Sequence, residues 1–196
     1  SQIQNKAHAG RVYLFYGNPS DVASSSSWSS ANADVTIYGW EKPSVRAGIS
    51  VAMTKVDNDQ FADLIIGESN CVSSNCALPA GSRNKSGNVY VIFGTWNFES
   101  YDNDTATPGT QISLEEIGVT IQGMVLYGEE EYAKFGESID VIGDVDDDML
   151  HDFVIGAPGR DDKPSIYGKA YVVKTSSIQA LVTATPSKLL GNCLLY

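Results

Sequence analysis

Nine residues, Asp144-Val-Asp146-Asp-Asp148-Met-Leu150-His-Asp152, place four carboxylates at positions 1, 3, 5 and 9 of one segment, and the apolar run Phe153-Val-Ile-Gly-Ala-Pro158 follows at once. Alternate side chains of a tight loop can point inward together, so the chemistry on offer is the binding of one hard cation. Calcium takes six to eight oxygens. Asp144, Asp146, Asp148 and Asp152, with the backbone carbonyl of Leu150 at position 7, supply most of them, and water completes the shell. A solvated acidic turn is the plainer alternative, and the regular spacing between two apolar strands argues against it. The segment begins like an EF-hand and then departs from one. Position 6 is Met149 rather than Gly, position 12 is Ile155 rather than Glu, and the flanks read as strands instead of helices.

Little else points to chemistry. The chain has two histidines, His8 and His151, and neither sits in a nucleophile arrangement; no Gly-x-Ser-x-Gly elbow or Gly-rich phosphate loop is present. A glycosidase-type carboxylate pair is compatible with so acidic a chain, but the clustered Asp residues are better explained as ligands.

The elements around the acidic loop recur. Gly10-Arg-Val-Tyr-Leu-Phe15, Gly87-Asn-Val-Tyr-Val-Ile92 and Gly168-Lys-Ala-Tyr-Val-Val173 are three copies of one strand with Tyr at the fourth position. Val35-Thr-Ile-Tyr-Gly39 pairs with Val119-Thr-Ile-Gln-Gly123, with Lys188-Leu-Leu-Gly191 a weaker third copy. Asp63-Leu-Ile-Ile-Gly67 matches Asp152-Phe-Val-Ile-Gly156, and Gly48-Ile-Ser50 matches Gly136-Glu-Ser138. Short β-branched and aromatic runs punctuated by Gly and Asp predict an all-β fold built of repeats. Helical signals are few, with one short turn expected at Leu114-Glu-Glu-Ile117.

With Phe135-Gly-Glu-Ser138 before the loop and Gly156-Ala-Pro158 after it, the chain resembles the FG-GAP repeat of integrin alpha-subunit β-propellers. The resemblance implies that each repeat is a four-stranded blade whose Asp loop joins its first two strands, and it implies a calcium site. About two and a half blades are expected: residues 1–45 as the last strands of one blade with a Ser-rich loop, 46–132 as a second blade, and 133–196 as a third carrying the calcium loop. Such rings typically hold four to eight blades, so the chain reads as a segment of a larger protein or as a unit completed by neighbours.

The second blade has a degenerate loop. Counting back from Asp63 gives Asp59 at position 5, Asp57 at position 3 and Lys55 at position 1, with Phe61 at the carbonyl position. The first ligand has become a cation. Two readings follow: a metal-free loop in which the Lys55 ammonium bridges the three carboxylates, or a weakened calcium site with Lys55 turned to solvent. Gly-Ala-Pro is here Gly67-Glu-Ser69.

Composition sets the remaining limits. The net charge of −11 argues against nucleic acid and anionic membrane as partners. No apolar run approaches a membrane span. Cys71 and Cys76, five apart in a polar loop, suit a disulfide better than a zinc pair, which lacks its other ligands. Cys193 is left over. Asn84-Lys-Ser86 and Asn103-Asp-Thr105 are glycosylation sequons. Ala23–Ser30 is a Ser-rich surface loop containing Trp28. Together these predict an extracellular or cell-surface, non-enzymatic, calcium-binding structural or adhesion module. Its expected partners are proteins or sister chains at open blade edges, and it would carry N-linked glycan. An accessory propeller of a secreted hydrolase, such as a phospholipase-type enzyme, is the alternative.

Overall fold

A computed structural model describes residues 9–17, 29–40, 46–57, 59–70, 85–95, 98, 109–128, 130–159, 167–184 and 193–194. The strands are β1 (Arg11–Leu14), β2 (Val35–Tyr38), β3 (Ala47–Thr54), β4 (Asp63–Glu68), β5 (Asn88–Ile92), β6 (Thr110–Ser113), β7 (Gly123–Tyr127), β8 (Ser138–Gly143), β9 (Asp152–Ala157), β10 (Lys169–Val173) and β11 (Cys193–Leu194). They form three sheets of order β1-β2-β6, β11-β7-β5-β4-β3 and β10-β9-β8. The fold is nearly all β; among the described residues no barrel closes, and the three sheets are compatible with partial propeller blades.

The middle sheet shows why its strands read as unbroken apolar runs. Every residue of β4 and β5 is buried, because a sheet covered on both faces needs apolar residues at both parities. Leu64 and Ile66 point into a core shared with Val35, Ile37 and Ile112 of the first sheet. Ile65, Val89 and Val91 point the other way, into a core shared with Phe135, Phe153 and Ile155 of the third. The sheets therefore stack in chain order.

Each junction between sheets is made by backbone. Ala47 N–H donates to the Ala9 carbonyl at 3.1 Å, and Phe135 N–H donates to the Ser86 carbonyl at 2.8 Å. Gly39 N–H reaches the Gly10 carbonyl at 3.2 Å and Gly128 N–H reaches that of Gly87 at 2.9 Å. Gly10 and Gly87 have φ of +82° and +85°, and a Cβ on either would lie 2.2 or 2.1 Å from the carbonyl oxygen of Ala47 or Phe135. Both positions require glycine for conformation and for space.

This junction corrects one repeat match. Gly39 and Gly128 are the equivalent residues, so Val35–Tyr38 corresponds to the end of β7 at Tyr127, not to Val119-Thr-Ile-Gln-Gly123. Residues 118–120 form a turn, closed by Gly118 N–H to the Ile121 carbonyl at 2.8 Å, with Val119 68% exposed. The β-branched run has a strand's composition, but its backbone closes on the preceding turn, with Ile121 bridged to Ile117. The helical turn at Leu114–Glu116 is present as a short 3-10 turn, and a ten-residue helix, α1 (Thr175–Ala184), was not expected at all. Its Ser, Thr and Val content is poor in helix formers. Two strands run parallel to a preceding sheet's outer strand: β6 on β2 and β11 on β7. Residues 185–192, with the weak third copy at Lys188–Gly191, lie outside the described residues, as do residues 23–28 of the Ser-rich loop, Trp28 among them; its end enters a 3-10 turn, Ser30–Asn32, capped by Ser29.

The junction geometry separates two glycine substitutions. Gly143, at φ +82°, has open space around a would-be Cβ, so Gly143→Ala loses about 1–2 kcal/mol, the cost of left-handed backbone alone. Gly87→Ala adds a carbonyl clash and loses more. Urea denaturation of the two variants measures the difference directly.

Candidate functional site

Both acidic loops connect the first and second strands of a sheet, β3 to β4 and β8 to β9. The carboxylates of Asp144, Asp146 and Asp152 each bring one oxygen within 4.8 Å of the others, and so do those of Asp57, Asp59 and Asp63. Two acid clusters at equivalent points of successive sheets are thus assembled by the repeat.

In the 144–152 loop the acids do different work. Asp152, the first residue of β9, is fully buried. Its Oδ2 accepts from Val145 N–H at 2.9 Å and its Oδ1 from Thr175 N–H at 2.8 Å, which ties the loop to the start of α1. Asp144 organises the turn, taking N–H donors from Asp147 at 2.7 Å, Asp148 at 3.2 Å and Met149 at 2.8 Å. Asp147 and Met149 adopt φ of +65° and +70° to make those bonds. Burial acts to raise the Asp144 carboxyl, but the backbone donors from Met149, Asp148, Asp147 and Asp146 outweigh it and hold it below the ordinary carboxylate range. Asp146 accepts from the Ser176 hydroxyl at 2.8 Å and lies 3.7 Å from the Lys174 ammonium. Asp148 accepts from Leu150 N–H at 2.8 Å and stands outside the close trio. Asp146 Oδ1 and Asp148 Oδ2 are buried and have no hydrogen-bond donor. Carboxylate oxygens in that state are costly without a counter-charge.

The 55–63 loop repeats the frame. Asp63 is fully buried and accepts from Val56 N–H at 2.5 Å, Asp57 N–H at 3.3 Å and Gly94 N–H at 2.7 Å. Gly94 stands where Thr175 stands in the third sheet. Asp57 accepts from Asp59 N–H at 3.2 Å and Asp59 from Phe61 N–H at 2.7 Å. Lys55 is exposed, and among the described residues no ion pair joins it to Asp57, Asp59 or Asp63. Burial pushes Asp57 and Asp63 upward; like charge adds to this, from Asp63 and Asp59 on the one and from Asp59 on the other, and backbone donors offset it in part. The two loops are equal in length; the third sheet's unit is one residue longer before its loop, and the extra residue enters as an irregularity between Val141 and Gly143 in the β8–β9 register.

Sequence reasoning passed over Glu68. It takes the place of Ala157 in the repeat and is fully buried at the junction with the first sheet. Tyr90 donates its hydroxyl to Oε2 at 2.8 Å and Asn88 its amide at 3.4 Å, while Oε1 has no donor. Burial pushes Glu68 up to about 7; hydrogen bonds from Tyr90, the Trp40 backbone and Asn88 pull against this, and Glu115 adds to the rise. The altered Gly67-Glu-Ser69 was the available signal. Cys71, Cys76, Asn84 and Asn103 lie outside the described residues, and Cys193 enters only through the backbone pairing of β11 with β7.

The folded state holds the Glu68 proton more tightly than an unfolded chain with the ordinary value of 4.5. Its contribution to stability is complete below pH 4.5 and is lost as pH rises through about 7, a change of up to about 3 kcal/mol. Asp57 and Asp63 act in the same direction from 3.8 upward, and Asp144 opposes them, losing its contribution as pH falls below its ordinary value. Calcium-free protein therefore becomes less stable between pH 4.5 and 7, and Glu68→Gln flattens that slope; urea midpoints across the interval measure it.

No helix among the described residues is long and apolar enough to cross a membrane. No family model matches the chain. Against curated proteins it is 31% identical over 111 residues to integrin alpha-5 of Xenopus laevis, a match that covers 57% of this chain and 8% of that protein. The chain thus spans less than a tenth of the relative's length. Over that part of its length the chain is thus distantly similar to an integrin alpha-subunit.

Proposed function

We propose that this chain is a calcium-stiffened segment of an extracellular FG-GAP-type propeller that serves adhesion or surface assembly and is not itself an enzyme. The observation that carries the reading is the pair of acid clusters at equivalent loops of successive sheets. The similarity to integrin alpha-5 supports the setting. Asp144, Asp146, Asp148 and Asp152, with the Leu150 carbonyl, would hold the ion in the third sheet. The oxygens Asp146 Oδ1 and Asp148 Oδ2 suit that role, because calcium would supply at those atoms the partner that no protein donor supplies. Bound only by the folded loop, the ion would stabilise the fold by mass action. Asp57, Asp59 and Asp63 form the weaker second site. The exposure of Lys55 favours this over a Lys55-bridged, metal-free loop. Strand edges that carry no partner strand among the described residues suit assembly with other chains.

Calorimetric titration with calcium is expected to show one tight site and one weak one, with a higher thermal midpoint once the tight site fills. Asp146→Asn weakens the tight site at least about tenfold, the loss typical even for outer partners of metal ligands. Asp59→Asn leaves the tight site unchanged. Absence of heat and of any thermal shift at millimolar calcium would sink the calcium reading.

A further inference from the structure

We infer that the entry to α1 controls the ion affinity of the third-sheet loop through Asp146: Ser176 positions this carboxylate for calcium, and the Lys174 ammonium competes with calcium for it. The inference rests on the calcium reading above and deepens it by naming what sets the affinity of the site. Three consecutive residues, the last before α1 and its first two, reach the loop. Thr175 donates its N–H to Asp152 Oδ1 at 2.8 Å and its hydroxyl to the His151 carbonyl at 2.8 Å. Ser176 donates its hydroxyl to Asp146 Oδ2 at 2.8 Å, and Lys174 Nζ lies 3.7 Å from that same oxygen.

The two oxygens of Asp146 are thus used differently. Oδ2 is held from α1, whereas Oδ1 is buried without a donor. The Asp146 side chain is 16% exposed and that of Lys174 is 52% exposed. An ammonium that reaches into solvent leaves at little cost, because exposed ion pairs contribute little. A divalent ion on Asp146 repels that ammonium. Even at the dielectric of water, a unit charge within a few ångströms weakens the binding of such an ion severalfold. The Ser176 hydroxyl is neutral, so it can hold Oδ2 while Oδ1 serves the ion. A donor on one oxygen fixes the direction of the other, as outer partners of metal ligands do.

The second loop has the same frame without the competing charge. Aligning the repeated strands β5 and β10 sets Phe93 at the Lys174 position and Gly94 at the Thr175 position. Gly94 keeps the backbone bond to the buried acid, Asp63 Oδ1, at 2.7 Å. Phe93 is buried in the core between the second and third sheets and brings no charge. The backbone bond common to both loops shapes the fold, and the Lys174 ammonium is an addition of the third. Helix α1 has no acid in its own first turn. Asp146 and Asp152 supply the negative charge that a helix N-terminus favours, which keeps Lys174 and Ser176 at the loop when no ion is bound.

Calcium titration of the full chain at low salt, with two substitutions at each position, tests the control. Lys174→Gln should tighten the tight site at least about threefold. That gain should shrink as salt approaches about 1 M, where charges a few ångströms apart are screened. Lys174→Arg keeps the charge and should bind calcium no tighter than the parent chain. Ser176→Ala should weaken the site about tenfold, the low end of losses for outer partners, and Ser176→Thr should recover most of that loss. One readout needs no variant: the Lys174 side-chain NMR signals should move to those of a free lysine as calcium is added. Lys174→Gln binding no tighter than the parent, or Lys174 signals unmoved at saturating calcium, overturns the competition. Parent affinity in Ser176→Ala, or a loss that Ser176→Thr does not recover, overturns the positioning. If the parent chain takes up no calcium, the calcium reading falls and this inference with it. If it takes up calcium and the variants match it, this inference alone falls.

Discussion

The structure depends on two places where backbone meets backbone with no side chain between. At Gly10 against Ala47, and at Gly87 against Phe135, the chain of one sheet lies so close to the opening strand of the next that a methyl group would overlap a carbonyl. Apolar packing alone is non-directional and would let the sheets slide. The paired hydrogen bonds at these contacts, Ala47 to Ala9 and Phe135 to Ser86, fix where β3 and β8 begin relative to the preceding sheet. Once those starting points are fixed, each Asp loop falls at the same point of its own sheet. The acid clusters are a consequence of the junction as much as of the acids.

Within each loop the acid at position 9 belongs first to the fold. Asp63 and Asp152 are fully buried, and each accepts from a loop N–H on one oxygen and from the segment after the third strand on the other. Leaving such donors unmade would cost about 1–3 kcal/mol for each group. This explains how the second loop keeps its shape although Lys55 replaces the first acid. Asp144 organises a turn by accepting three N–H groups, a role the Lys55 side chain, a donor only, cannot take in the second loop. The cation-facing role rests mainly on positions 3 and 5, where Asp146 and Asp148 present oxygens without donors.

The fold class and the acid clusters were legible because both are local. Period-2 apolar runs, Gly and Asp punctuation and 1-3-5-9 spacing need no knowledge of distant partners. What was not legible was set by tertiary partners. Val119-Thr-Ile-Gln has the composition of β2, but its backbone closes a turn, and only the Gly39 and Gly128 contacts reveal Gly123–Tyr127 as the true counterpart. Helix α1 is weak in propensity and gains at its start from bonds to Asp152 and Asp146, acids that the sequence assigns to a metal. Asp148 stands apart from the close trio although its spacing equals that of its neighbours, and its Oδ1 accepts from Leu150 N–H.

Repetition of sequence is also not repetition of environment. The Tyr at the fourth position of the repeated strand is 36% exposed at Tyr13, fully enclosed at Tyr90 and edge-on to Phe135 at 5.2 Å for Tyr171. Among the described residues only the middle copy has a sheet on both sides. The residue two before it follows the same logic. Arg11 lies over the Tyr38 ring and Lys169 pairs with Glu130 at exposed positions, where a cation is well solvated. At the enclosed middle position the cation is replaced by Asn88, and the acid beside it, Glu68, is left with neutral donors only. A carboxylate buried without a counter-charge binds its proton more tightly. The titration of Glu68 near neutrality is thus the electrostatic consequence of placing one copy of a surface-tolerant repeat between two others.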